Sequence, residues 1–236
     1  MVQLSKRLSA VAQLVTITGI LADVGTDHGY IPVYLIGKEQ IKKAIAMDVN
    51  QGPLERAQEH IHQYGLESRI ETRLSDGLQA LKPKEVEGIV IAGMGGNLMK
   101  RILMQGEQVA HTAQELILQP QSEVMEFRKF LWKSGYTIVA EDMVLEDGKY
   151  YPMMRVVYEN AQKEIPDVLA LKYGGKLLEQ KHPVLKQYLL WQRMQKEKIL
   201  GNLQKNAKKD VSSRKEEIEE ELSYIAHALE KIDGAK

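Results

Sequence analysis

The sequence predicts an α/β protein with a mostly parallel, seven-stranded sheet that ends in an antiparallel hairpin, followed by a helical C-terminal domain. Short apolar runs alternate with helical patterns from residue 20 to about residue 158, which is typical of βαβ units. The Asp147-Gly148 step between the last two runs is a hairpin signal. After Asn160, apolar residues recur at helical spacing instead.

The predicted strands are short and rich in apolar residues. They cover residues 20–24, 43–48, 69–74, 88–92, 115–118, 136–145 and 150–158. Helices are expected where a proline suits a first turn or a glycine ends a periodic run. They are an N-terminal helix over residues 1–18, then Pro53–Tyr64, Asn97–Gln105 and Glu123–Ser134. We expect these elements to form one domain over residues 1–160.

The C-terminal region carries two apolar seams. One seam has the 4,3 spacing of a coiled coil and consists of Val211, Ile218, Leu222, Ile225, Leu229 and Ile232. The other, looser seam follows Pro183 and consists of Leu185, Leu189, Ile199 and Leu203. They predict a coiled-coil-like helical hairpin over residues 161–236, joined near Asn206 to Ser212. Because such a seam pairs within a chain or between chains, a monomer or a weak dimer is expected.

The charge of this region is sorted by segment, although the whole chain has 32 basic and 32 acidic residues and no net charge. Residues 172–209 hold ten Lys/Arg against two Asp/Glu, a net of +8, and residues 210–236 hold four against eight, a net of −4. Tyr173, Tyr188 and Trp191 lie among the cations, a mixture that suits nucleic acid. The alternative is a solvated helix face that pairs with its acidic neighbour.

The absence of cysteine excludes a disulfide framework, a thiolate nucleophile and a Cys-ligated metal. No apolar run reaches the length of a membrane span. We therefore expect a cytoplasmic protein with no membrane and no metal among its partners.

Acidic residues and glycines follow four predicted strands in succession. They are Asp23-Val24-Gly25, then Asp48, then Asp76-Gly77, and last Ala92-Gly93-Met94-Gly95-Gly96. Each alone is commonly a turn former or a helix cap. Together they converge, because the carboxyl ends of neighbouring parallel strands share one crevice where α/β sheets bind ligands. A carboxylate at the second strand end, Asp48, is placed to accept hydrogen bonds from ribose hydroxyls.

The first turn distinguishes between nucleotide ligands. After Gly25 the chain reads Thr26-Asp27-His28-Gly29, with an acid where a pyrophosphate site needs its second glycine. A carboxylate there would repel a phosphate. S-adenosylmethionine has an adenosine but no phosphate, and its ammonium and sulfonium groups are cationic. The acid-rich turn therefore favours S-adenosylmethionine over a dinucleotide.

Several motifs together resemble one known family. They are Leu4-Ser5-Lys6-Arg7-Leu8, Asp23-Val-Gly-Thr-Asp-His-Gly-Tyr30, Asp76-Gly77-Leu78, Ile91-Ala-Gly-Met-Gly-Gly96 and Leu118-Gln119-Pro120. The sequence is similar to the bacterial tRNA methyltransferases that modify N1 of adenine 22. The resemblance implies a Rossmann-like class I methyltransferase fold with a C-terminal helical domain, S-adenosylmethionine as cofactor, S-adenosylhomocysteine as product and tRNA as substrate.

The resemblance also implies roles for individual residues. It places the cofactor against Asp23, Gly25, Thr26, His28, Gly29, Asp48, Val49, Asp76, Gly77, Ala92 and Gly93. The expected substrate contacts are Lys6, Arg7, Gly95, Gly96, Gln119 and Arg193. The expected catalytic residues are Asp27, Tyr30 and Met94.

The chemistry needs little acid–base help, since N1 of adenine has a free lone pair and no proton must be removed first. Positioning the reactants and excluding water is then the main task. Positive charge develops on the base, and Asp27 is the candidate to stabilise it. Asp27 could instead cap the next helix or contact the cofactor ammonium, and Tyr30 could pack under that helix. Two alternatives remain for the whole chain: a methyltransferase acting on a protein or small molecule with a dimerising tail, and an inactive nucleic-acid adaptor.

Overall fold

The computed structural model describes residues 2–160, 164–206 and 212–234. The chain divides into two compact units, Met1–Ile165 and Pro166–Lys236. The division falls after Ile165, beyond the predicted domain boundary at residue 160.

The first unit contains a seven-stranded sheet with the order β3-β2-β1-β4-β5-β7-β6. Its strands are β1 Ile20–Val24, β2 Lys43–Asp48, β3 Ile70–Leu74, β4 Gly88–Met94, β5 Glu115–Pro120, β6 Tyr136–Glu146 and β7 Lys149–Tyr158. Strands β1 to β5 are parallel to one another, whereas β7 is antiparallel to both β5 and β6. The predicted parallel sheet with a final hairpin is confirmed.

Helices cover both faces of this sheet. They are α1 Lys6–Gln13, α2 Tyr30–Gly37, α3 Gln51–Gln63, α4 Gly96–Gln105, α5 Glu107–Ala110 and α6 Val124–Lys133. Buried side chains of α1, α2 and α3 form one apolar cluster, and those of α4, α5 and α6 contribute to another. Each central strand contributes to both clusters because its successive side chains point to opposite faces. The sheet is therefore buried on both sides, as a mostly parallel sheet requires.

The N-terminal helix is shorter than the predicted span of residues 1–18. It begins after Ser5, whose hydroxyl accepts a hydrogen bond from the Leu8 N–H, and it ends at Gln13. Residues 15–18 read Val-Thr-Ile-Thr, a β-branched run of low helix propensity. The backbone N–H groups of Thr16 and Ile17 instead donate to the Glu115 carboxylate at 2.7 and 3.2 Å.

Helix α2 is the main element that the sequence analysis did not place. Its sequence, YIPVYLIG, is apolar on every side and therefore lacks the periodicity of a surface helix. Gly29 precedes it with a φ of 64°, a left-handed conformation that glycine adopts without strain. Only the packed structure distinguishes this run from a buried strand.

The second unit is helical. It contains a π-helical turn Ala170–Gly174, α7 Gly175–Glu179, α8 Pro183–Asn206 and α9 Ser212–Asp233. Helices α8 and α9 pack against each other. Ion pairs join Lys186 to Asp233 and Lys196 to Glu221, so the two helices run antiparallel.

The seams of α8 and α9 are largely as predicted. Leu185, Leu189, Ile218, Ile225, Leu229 and Ile232 are buried. The prediction was wrong for Ile199, which is exposed, because the α8 seam is too irregular to keep one stripe on the α9 side. Val211 and most of the predicted connection lie outside the described residues. No described helix is long and apolar enough to cross a membrane.

Candidate active site

The four predicted strand ends are neighbours in the sheet. Asp23 of β1 is aligned with Ala46 of β2 on one side and with Val90 of β4 on the other. Asp48 is aligned with Leu74, the last residue of β3. Because β3, β2, β1 and β4 are adjacent and parallel, the residues that follow them lie along one edge. This carboxyl edge of the sheet is the candidate active site.

The β1 turn is held to the end of β2. The N–H groups of Gly25 and Thr26 both donate to the Met47 carbonyl at 2.8 Å. The Thr26 hydroxyl donates to Asp23 Oδ2 at 2.6 Å, and both of these side chains are buried. Gly25 has a φ of 74°, and a Cβ at this position would overlap the Met94 methyl group. The ends of β1 and β4 are thus in direct contact.

Asp23 is electrostatically unusual. Its pKa is raised to about 6, mainly by burial and in part by the nearby carboxylates of Asp27 and Asp48, against the lowering effect of the Thr26 hydrogen bond. Three carboxyl groups therefore lie close together with few cations among them. Such a site stabilises a positively charged ligand.

Asp27 faces solvent, whereas His28 and Tyr30 are half-buried and Gly29 is buried. The Asp27 side chain is 76% exposed, and its Oδ1 lies 3.4 Å from His28 Nε2 and 4.0 Å from Arg56 Nη2. No side-chain hydrogen bond caps α2, so the structure does not give Asp27 a capping role. An exposed carboxylate with only these loose contacts is available to a ligand.

The His28 and Tyr30 rings belong to a row that the sequence analysis missed in part. His28 stacks on Tyr30 at 5.4 Å between ring centroids, and the edge of His60 meets Tyr30 at 4.9 Å. The His60 Nδ1–H group donates to the His28 carbonyl at 2.8 Å. Tyr30 also packs against the apolar cluster of α1, α2 and α3. Arg56, which lies near Asp27, and His60 are four residues apart in the sequence. This spacing places their side chains on the same face of α3, and it was the signal that could have identified them.

The ends of β2 and β3 present the predicted adenosine-binding residues. Asp48 Oδ1 accepts a hydrogen bond from the Asn50 N–H at 2.7 Å. Val49 is 58% exposed, an apolar side chain at the edge. Asp76 is exposed, while Gly77 is buried with a φ of 60°. A Cβ at Gly77 would lie 3.0 Å from the Ile102 side chain, which accounts for the glycine.

The end of β4 is irregular. The register with β5 shifts between Ala92 and Met94, so Gly93 bulges out of the ladder with a φ of 80°. Gly95 precedes α4, and Gly96 begins it. A Cβ at Gly96 would lie 2.7 Å from the Ser122 carbonyl oxygen, so the backbone after β5 requires glycine there. This close approach was not visible in the sequence.

Arg7 and Gln119 meet beside this bulge. The side-chain oxygen Oε1 of Gln119 accepts from Arg7 Nη1 at 3.0 Å and from the Gly93 N–H at 3.1 Å. Gln119 is completely buried. The backbone N–H groups of Lys6 and Arg7 both donate to Glu146 Oε1 in the β6–β7 hairpin. The structure therefore brings the predicted residues Arg7 and Gln119 to the Gly93 bulge, whereas Lys6 contacts the β6–β7 hairpin through Glu146 and the Leu145 carbonyl.

Arg193 lies on α8 in the second unit, where its nearest carboxylate is Glu197 at 3.9 Å.

Within the described ranges, no group of three or more His, Asp or Glu residues could hold a metal ion.

Comparisons with known proteins agree with this geometry. The methyltransferase-domain family matches residues 4–154. The tRNA (adenine(22)-N(1))-methyltransferase of Bacillus subtilis strain 168 is 38% identical over 152 residues, which is 64% of this chain and 64% of that enzyme. The chain thus aligns with slightly less than two thirds of that relative's length.

Solved structures extend the similarity to nearly the whole chain. Sp1610 of Streptococcus pneumoniae is 33% identical, with a TM-score of 0.88 over 96% of this chain and 100% of that chain. TrmK of M. capricolum, solved with its natural cofactor product S-adenosyl-homocysteine, is 28% identical, with a TM-score of 0.82 over 97% and 99% of the two chains. The class I methyltransferase fold with C-terminal helices is confirmed, and the chain belongs to the methyltransferase-domain family and, within it, to the bacterial tRNA (adenine-22-N1)-methyltransferases.

Proposed function

We propose that the protein transfers a methyl group from S-adenosylmethionine to N1 of adenine 22 in tRNA. The observation that carries the proposal is the carboxyl edge of the sheet, where a bare glycine turn and three interacting carboxylates adjoin a glycine-rich bulge. Family membership supports it, because the B. subtilis relative carries this activity in its name.

The residues at this edge fit the cofactor. Gly25 has no side chain to block the end of β1, and the cluster of Asp23, Asp27 and Asp48 suits the ammonium and sulfonium charges. We assign the methionine end to Asp23, Gly25, Thr26, His28 and Gly29. We assign the ribose to Asp48 and the adenine to Val49, Asp76 and Gly77, with Ala92 and Gly93 closing the site from β4.

When bound, S-adenosylmethionine supplies the sulfonium methyl group that the N1 lone pair attacks. The chain's own task is to hold the base in line and to keep water out. Met94 borders Gly25 and provides an apolar wall at the reacting centre. Asp27 stabilises the positive charge that develops on the base. Tyr30, packed among His28, His60 and the core, holds the Asp27 turn in place.

The substrate enters from the β4 and β5 side. Gly95 and Gly96, at the start of α4, lie beside the target base, and Lys6 and Arg7 contact the phosphates of the target nucleotide, with Gln119 beside them. Arg193 and the basic residues of α8 bind the tRNA backbone more remotely. The adenine must leave its stack to reach the edge of the sheet. The protein acts in the cytoplasm as a monomer or a weak dimer.

The decisive experiment combines labelled S-adenosylmethionine with unmodified tRNA, followed by nucleoside analysis and mapping of the modified position. We expect one N1-methyladenosine at position 22. A tRNA transcript with guanosine at position 22 is the matched control and should remain unlabelled. Label on another base, or on a protein or small molecule instead, would overturn the proposal.

A further inference from the structure

Arg7 is a cation held without an anion. It is half-buried, and in the described part of the chain it forms no ion pair with a carboxylate. Its side-chain contacts are the neutral oxygen of Gln119 and the ring of Tyr151, whose centroid lies 5.7 Å from the guanidinium carbon. A guanidinium has five N–H donors, and Gln119 accepts from one of them. The remaining donors suit a phosphate, which guanidinium binds in a bidentate manner.

Gln119 joins this cation to the Gly93 bulge at the end of β4. Its Oε1 accepts from both Arg7 and the Gly93 N–H, which uses both lone pairs of that oxygen. Its Nε2 group donates to the Pro120 carbonyl at 3.2 Å, so the amide is fixed at both ends. Being completely buried, Gln119 contacts no large ligand itself. Its contacts are those of a residue that positions others.

The Gly93 bulge depends on this arrangement. Gly93 lies outside the β4–β5 ladder, and its N–H group donates to Gln119 rather than to β5 backbone. The next residue, Met94, borders Gly25 at the end of β1. A shift of Gln119 would therefore move both the Arg7 guanidinium and the Gly93–Met94 segment that borders Gly25.

We propose that Arg7 binds the phosphodiester of the target nucleotide and that Gln119 is a positioning residue that links this phosphate contact to the Gly93–Met94 loop. The proposal rests on the proposed function and adds a specific division of labour to it. Arg7 governs tRNA affinity, whereas Gln119 governs both affinity and the rate of methyl transfer once tRNA is bound.

Four variants test it: Arg7→Gln, Gln119→Glu, Gln119→Leu and, as a control for the loss of one exposed arginine of the same unit, Arg101→Gln. The measurements are the tRNA dissociation constant at several salt concentrations, the cofactor dissociation constant, and the single-turnover rate with saturating tRNA. Thermal melting of each variant shows whether it folds.

We expect Arg7→Gln to weaken tRNA binding by roughly 10- to 100-fold and to reduce the salt slope by about 0.7–0.9, the value for one phosphate. Gln119→Glu neutralises Arg7 but still accepts from Gly93, so it should weaken binding similarly and retain most of the rate. Gln119→Leu leaves the Gly93 N–H without its acceptor, so we expect its rate at saturation to fall about tenfold as well. Arg101→Gln and the cofactor dissociation constants should stay near wild type.

Three results would overturn the inference while wild-type enzyme still methylates adenine 22. One is a loss of cofactor binding in Arg7→Gln with unchanged tRNA affinity, which would place the cofactor carboxylate at Arg7. Another is an equal change of salt slope in Arg101→Gln. The third is a folded Gln119→Leu variant with the wild-type rate at saturation. Failure of the proposed function is distinct, since wild-type enzyme would then leave adenine 22 unmodified.

Discussion

Two buried carboxylates at opposite edges of the same sheet have different surroundings. Glu115 begins β5 and is 2% exposed, and it accepts hydrogen bonds from the Thr16 and Ile17 N–H groups and the Thr16 hydroxyl, with Arg155 beside it at 3.5 Å. Asp23, near the end of β1, is 5% exposed and accepts one side-chain hydrogen bond, from Thr26. Its other charged neighbours are acids.

The difference separates a carboxylate that stabilises the fold, Glu115, from one that belongs to the candidate active site, Asp23. Glu115 connects the segment before β1 to the amino end of β5 through hydrogen bonds. These donors compensate for the cost of its burial. Asp23 is buried with too few donors, a cost that a cationic ligand at this edge would offset. The buried carboxylate at the opposite edge is therefore satisfied by donors within the protein, whereas the one at the carboxyl edge requires a bound ligand.

The largest effect that sharpens this comparison is expected from Asp27, the exposed acid of the carboxyl edge. Asp27→Asn keeps the shape of the turn but removes the charge that faces the base, so single-turnover methylation should fall by at least about 100-fold. Cofactor affinity should change much less. Glu126→Gln, an exposed acid on α6, is the control and should retain full activity. A fully active Asp27→Asn variant would refute the catalytic assignment.

A paired substitution tests the comparison directly, with urea unfolding at pH 7.5 as the measurement. Glu115→Gln should lower the free energy of unfolding by about 1–3 kcal/mol, because an amide NH₂ then faces backbone donors. Asp23→Asn should raise it by about 1–3 kcal/mol. The folded-state pKa of Asp23 lies above the unfolded value of 3.8, so the stability it contributes at low pH is lost as the pH rises to about 6.

The same pair should differ in cofactor binding. Asp23→Asn is expected to bind S-adenosylmethionine more weakly, whereas Glu115→Gln should bind it with wild-type affinity. If both substitutions destabilise the fold and neither affects binding, the contrast between the two edges fails.

The smallest predicted effect is a pH dependence of cofactor affinity. Asp23 ionises as the pH rises through about 6 and then attracts the cationic cofactor, so affinity should increase by up to about tenfold between pH 5 and pH 7.5. Calorimetric titration across this range measures it. In Asp23→Asn the profile should flatten; an unchanged profile would assign the titration to another group.

Local patterns predicted most of the fold. Alternating apolar runs located all seven strands, and the Asp147-Gly148 step located the final hairpin. The pattern could not locate α2, since a helix that is apolar on every side has no periodic signal. It also overextended α1, because the contact of Thr16 and Ile17 with Glu115 joins residues about 100 positions apart.

By itself the sequence determined which chemical groups gather at the carboxyl edge, since the strand ends follow from the apolar runs and the carboxyl ends of parallel strands share one edge. It also indicated a cationic cofactor, through the acid at Asp27. Only the tertiary structure decided how those groups are coupled. It raises the pKa of Asp23, brings Met94 against Gly25, and lets Gln119 accept hydrogen bonds from both Arg7 and Gly93. The physical reason is that burial and hydrogen bonding between distant segments are properties of the packed chain, and no local pattern encodes them.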